Sequence, residues 1–91
     1  MTKLRRIGVL GGMGPEATVA LLQRVQGAIL ARDDADHVPL LVDLNPQVPS
    51  RIKHLIEKTG PSPGPVIADM AARLETAGAE ALILPCNTAH H

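Results

Sequence analysis

Ala81-Leu82-Ile83-Leu84-Pro85-Cys86-Asn87-Thr88-Ala89-His90-His91 closes the sequence, and the reading of its first six residues decides the fold. Ala81 to Leu84 is a short, unbroken apolar run, the pattern of a strand buried on both faces of a parallel sheet. Pro85 ends it, because proline has no N–H to give to a ladder. Cys86 then falls at the carboxyl end of a strand, the edge at which open α/β sheets hold their ligands. Asn87 and Thr88 are both good N-cap residues, so a helix is expected to start there, with its positive end beside the sulfur and favouring thiolate. That environment suits a nucleophile or a base. A buried structural cysteine is the competing reading.

Working back from this strand, Gly78 marks the stop of a helix over about Pro65 to Ala77, whose apolar positions Ile67, Met70, Ala71, Leu74 and Ala77 share one face. Pro61-Ser62-Pro63-Gly64-Pro65 is the loop before it, with Ser62 or Gly64 preceding the first turn, and a short helix from about Ser50 or Arg51 to Lys58 ends at Gly60. Val38 to Leu44 reads as a second buried strand. The segment after it, Asn45-Pro46-Gln47-Val48-Pro49-Ser50-Arg51, has two prolines that predict an extended loop at the same edge as Cys86.

The amino-terminal third supplies the rest of the unit. Arg6 to Leu10 is a first strand, Gly11-Gly12-Met13-Gly14-Pro15 a tight loop, and Pro15 with Glu16 opens a helix. Its stripe, Ala17, Leu21, Leu22, Val25, Ala28 and Ile29, runs to about Arg32 and is followed by a polar loop with Asp33, Asp34, Asp36 and His37. Strand, helix, strand, helix, strand predicts an α/β fold, an open parallel sheet from a βαβαβ unit with right-handed crossovers and spatial order 2, 1, 3.

Composition narrows the function. The 91 residues are 45% apolar with no aromatic side chain, so Leu, Ile, Val, Ala and Met must build the core. Nine basic and nine acidic residues cancel, removing any electrostatic argument for nucleic acid or an anionic membrane. No stretch is apolar enough to span a bilayer, and the glycine-broken run after Lys3, Arg5 and Arg6 does not read as a signal peptide. A single cysteine makes no internal disulfide, and a cytoplasmic protein is the default.

Three motifs could carry chemistry. Gly12-Met13-Gly14-Pro15-Glu16-Ala17 formally matches G-x-G-x-x-A between strand and helix. Glu16 would repel a pyrophosphate, however, and Asp43, closing the second strand, lies well beyond the roughly 20 residues expected of the ribose-binding acid. No lysine follows at P-loop spacing. The loop therefore reads either as a tight turn needing positive φ or as backbone N–H groups facing a small anion such as a carboxylate. Arg51, with Gln47 beside it, offers a planar fork suited to a carboxylate, or is a surface arginine. His90 could share a helix face with Cys86, but the set falls short of the four ligands of a structural zinc site.

Taken together, Ile7 to Thr18, Asn45 to Arg51 and Pro85 to His90 resemble the aspartate/glutamate racemase family over essentially the whole sequence and in the same order. The resemblance implies a cofactor-independent, PLP-independent amino-acid racemase with two similar α/β domains and the site between them. It also implies two cysteines on opposite faces of the substrate's α-carbon, one removing a proton and the other returning one. Cys86 matches the first of these. Asn87 and Thr88 match residues holding the α-carboxylate, and Gln47, Arg51 and Met13 match substrate-side positions. A small-molecule amino-acid substrate and a homo-oligomer are expected, with no nucleic-acid or membrane partner. No second cysteine is present, so residues 1–91 are expected to be the N-terminal part of such a protein. The alternative is a non-catalytic small-ligand or interaction module derived from the same fold. In either case the last strand is expected to leave an apolar edge that invites association.

Overall fold

The computed structural model describes residues 5–48 and 62–85. Within them the chain forms β1 (Ile7–Gly11), α1 (Pro15–Ala28), a single 3-10 turn (Asp34–Asp36), β2 (Leu40–Leu44), α2 (Gly64–Thr76) and β3 (Ala81–Ile83). The sheet is parallel in the order β2-β1-β3, the order expected from the sequence. Gly11 stands opposite Leu44, and Val9 is flanked by Val42 and Ile83, so all three strands run out at one edge. The short helix expected after Ser50 lies outside the described residues.

The helices take opposite faces of β1, and the strand's alternation shows how. Leu10 points into a cluster with Met13, Val48, Met70 and Leu74, which is the α2 side. On the other side, a Cβ at Gly11 would lie 2.7 Å from Thr18 Cγ2, placing α1 there. Gly8 shares the α2 face with Leu10, and a Cβ on it would lie 2.8 Å from Leu82 Cδ2 and 3.2 Å from Leu74 Cβ. The missing side chains of β1 are what let both layers close upon it.

Helix ends follow local chemistry. Pro15 occupies the first turn of α1, where its absent N–H costs nothing. α2 stops at Gly78, φ +105°, in a Schellman arrangement: Gly78 N–H donates to the Glu75 carbonyl at 3.0 Å and Ala79 N–H to Leu74 at 3.0 Å. At the other end Gly64 N–H donates to Ser62 Oγ at 3.1 Å. Arg73 of α2 reaches Asp43 of β2 at 2.7 Å, but the arginine side chain is 58% exposed, so this pair contributes about 1 kcal/mol at most.

Several expectations are corrected. α1 ends at Ala28 and not near Arg32, because Gly27 weakens the last turn and β-branched Ile29 takes extended backbone at φ −96°, ψ 124°. The polar segment after it is ordered into the 3-10 turn by Asp33 and Asp36, whose carboxylates form a capping box. The loop after β2 turns tightly at Asn45 to Val48 instead of running extended, since Asn45 Oδ1 accepts the Gln47 N–H at 3.0 Å. The outer strands are not buried on both faces: Val42, Leu44, Leu82 and Ile83 are all exposed. α1 packs mainly on β1, so on its side of the sheet Val42, Leu44 and Ile83 stay uncovered among the described residues. For the same reason the α1 stripe is only half buried or less, and Thr18 is that helix's one buried residue.

Met70 is fully buried at the centre of the α2-side cluster. Met70→Ala is expected to lower stability by about 2–5 kcal/mol, the usual range for emptying a core site. Leu30, fully exposed, serves as the control, and Leu30→Ala should stay within about 0.5 kcal/mol. Urea unfolding followed by circular dichroism reads both.

Candidate active site

Parallel strands place their carboxyl ends together, and the loops after β1 and β2 meet there in two contacts, with a third from the first loop to α1. Asn45 N–H donates to the Gly11 carbonyl at 2.9 Å, extending the β1–β2 ladder one step beyond the strand. Gly12 follows with φ +102°, and its Cα faces the Asn45 backbone so closely that a Cβ would stand 2.4 Å from the Asn45 carbonyl carbon. Gly12 N–H in turn donates to Thr18 Oγ1 at 3.0 Å, from a threonine with no exposed surface. Only glycine satisfies both the left-handed backbone and the contact at position 12.

Met13 comes next, and its side chain does not face the edge. It is 1% exposed and packs with Leu10, Val48, Met70 and Leu74. What Met13 can present to a ligand is its backbone, and among the described residues no hydrogen bond takes up its N–H. Gly14 then caps α1 in an extended conformation, so this stretch brings the positive end of a 14-residue helix to the sheet edge. Gln47 sits on the tip of the Asn45 turn with its side chain exposed. Val48, the residue after it, turns back into the core at 4% exposure.

Two of the six residues singled out from the sequence are thus brought to one edge, Gln47 through its side chain and Met13 through its backbone. Arg51, Cys86, Asn87 and Thr88 lie outside the described residues, as does His90. Pro85, two positions after the last residue of β3, is half buried. Thr18 was missed as a site-related residue, although a hydroxyl residue one turn into a helix that follows a glycine loop is a readable signal for a loop anchor. Among the described residues no group of three or more His, Cys, Asp or Glu could hold a metal ion, and no helix is long and apolar enough to cross a membrane. A hollow lined by Ala31, Arg32, Asp33, Asp34 and His37 lies before β2, away from the carboxyl edge.

Comparison with known proteins adds to this geometry. A family model described as Asp/Glu/Hydantoin racemase matches residues 10–91. Among solved structures the chain is similar to the Picrophilus torridus aspartate racemase, at 35% sequence identity and a TM-score of 0.87. That likeness covers 94% of this chain and 37% of the other, so the 91 residues span well under half of that protein's length.

Position 12 tests the edge directly. Gly12→Ala is expected to cost at least about 1–3 kcal/mol from backbone strain alone, with the overlap on Asn45 added, and to speed amide exchange at Asn45. Gly27→Ala, where a Cβ would meet nothing within 4 Å, should instead be neutral or stabilising by up to about 1 kcal/mol. Thermal melts with residue-resolved hydrogen exchange check the pair.

Proposed function

Because the chain belongs to the Asp/Glu/Hydantoin racemase family, we propose that it forms one half of a racemase site for an acidic amino acid, with Cys86 as the group that moves the α-proton. The observation that carries this reading is the 35% identity and TM-score of 0.87 to an aspartate racemase over 94% of the chain. Its support in the fold is the carboxyl edge, where the N-terminus of α1 opens beside the Met13 N–H and where the strand preceding Cys86 runs out, features that suit an anion.

In the proposed reaction the Cys86 thiolate takes the α-proton, and the electron pair left on the α-carbon delocalises into the substrate carboxylate. A thiol on the opposite face then returns a proton, inverting the centre, and no cofactor takes part. Such a route needs acid and base on opposite faces, each in a useful protonation state. Asn87 and Thr88 hold the α-carboxylate that receives the charge. Arg51 supplies its fork and Gln47 its amide on the substrate side, while Met13 contributes a backbone N–H. These 91 residues hold one cysteine, and in this reading the second thiol is supplied from outside them.

The test separates proton removal from inversion. Incubated with L-aspartate in deuterated water, the purified chain should exchange the α-proton, and Cys86→Ser should slow this by a factor of about 10² to 10⁴. Inversion to the D form should stay far below roughly 1 per second, a rate ordinary for enzymes, unless a second thiol is supplied. Equal exchange in the serine variant would remove Cys86 from the chemistry. Protection of Cys86 from alkylation by L-aspartate without any proton exchange would favour the non-catalytic binding module.

A further inference from the structure

We propose that Thr18 is the positioning residue of the carboxyl edge: its hydroxyl holds the Gly12 N–H and thereby sets the glycine loop and the Asn45 turn in the relation that an amino-acid carboxylate requires. The inference rests on the reading of this edge as an amino-acid site, and it extends that reading to a residue with no part in the proton transfer.

Five observations support it. Thr18 is the only buried polar side chain among the described residues, with 0% exposure. A buried hydroxyl is costly unless it is bonded, and this one accepts from Gly12 N–H at 3.0 Å. The reach follows from helix geometry: Thr18 is the fourth residue of α1, and helical side chains lean toward the N-terminus, so Oγ1 is carried back over the turn that precedes the helix. Its methyl group is equally placed, against the bare Cα of Gly11, where a Cβ would be 2.7 Å from Cγ2. Gly11 and Gly12 in turn both touch Asn45, one through the 2.9 Å hydrogen bond and the other through backbone contact. Thr18 therefore grips from α1 the dipeptide to which the second loop is fastened, and Asn45 passes the constraint on through its side-chain bond to the Gln47 N–H.

The experiment uses the whole 91-residue chain with two substitutions that separate the hydroxyl from the methyl. Thr18→Val keeps the shape and removes the acceptor; Thr18→Ser keeps the acceptor and removes the methyl. The valine variant is expected to exchange the Gly12 amide about 10-fold faster or more, to exchange Asn45 and Gln47 faster as well, and to bind L-aspartate about 5- to 10-fold more weakly, as loss of one buried hydrogen bond implies. Serine should restore all three to within about twofold. Faster exchange at Gly12 with Asn45, Gln47 and aspartate affinity unchanged would make Thr18 a fold residue only and overturn the proposal. If the valine variant does not fold, Thr18→Ala against Thr18→Ser isolates the same oxygen, and equal behaviour of those two would overturn it. Failure of the unaltered chain to bind aspartate would remove the functional reading; the coupling of Thr18 to Asn45 and Gln47 would still be decided by their exchange rates.

Discussion

The structure depends on a strand that is missing its side chains at the points where others must touch it. Gly8 admits Leu74 and Leu82, Gly11 admits Thr18, and Gly12 admits the Asn45 backbone, each at a distance that a Cβ would occupy. β1 can therefore carry a helix on each face and a parallel partner on each side while staying almost wholly buried. The residues between these glycines do the opposite work. Val9 and Leu10 are both buried, and Leu10 opens the cluster that receives Met70 and Leu74. Bare positions set how near the layers come, and apolar positions hold them there.

Much of this architecture was legible because its signals are local. Pro15 at the start of a helix, Gly78 at the end of one and the alternation of strand and helix lead to the 2, 1, 3 sheet without any knowledge of tertiary contacts. Burial was not legible to the same degree. An apolar run such as Ala81 to Leu84 says that a strand could be covered on both faces, but whether it is depends on how far a helix extends sideways over the sheet. α1 reaches little beyond β1, and so Val42, Leu44 and Ile83 are exposed. The stop of α1 at Ala28 and the Asn45 turn were missed for a related reason. Each is settled by one backbone conformation or one side-chain hydrogen bond against a run of residues whose average preference points elsewhere.

The candidate site shows the same division. The edge was legible, since it follows from strand direction and topology alone. The orientation of individual side chains was not. Met13 belongs to a loop at the ligand edge yet turns its thioether into the core, because the cluster around Met70 offers more apolar contact than the solvated edge. Thr18, a polar residue in an apolar stripe, would be read as an interruption of that stripe and is instead its only buried member.

That inward turn of Met13 has a counterpart in Val48, and together they tie the two loops of the carboxyl edge to the core. Each loop at the carboxyl edge sends one residue back into the α2-side core: Met13 from the loop after β1 and Val48 from the loop after β2. Both belong to one cluster with Leu10, Met70 and Leu74, so the positions of the two loops are coupled through that core as well as through the Gly11–Asn45 hydrogen bond. Packing of this kind has few alternative arrangements, because displacing either residue opens a cavity or forces an unfavourable rotamer. The backbone groups that face the edge consequently inherit their placement from residues that never reach it. Chemistry that must present acid, base and carboxylate partners to a single carbon tolerates little displacement of the groups involved. In the proposed reaction that demand falls on a loop pair held from below by two apolar anchors, Met13 and Val48, and from the side by the Thr18 hydroxyl, which accepts the Gly12 N–H.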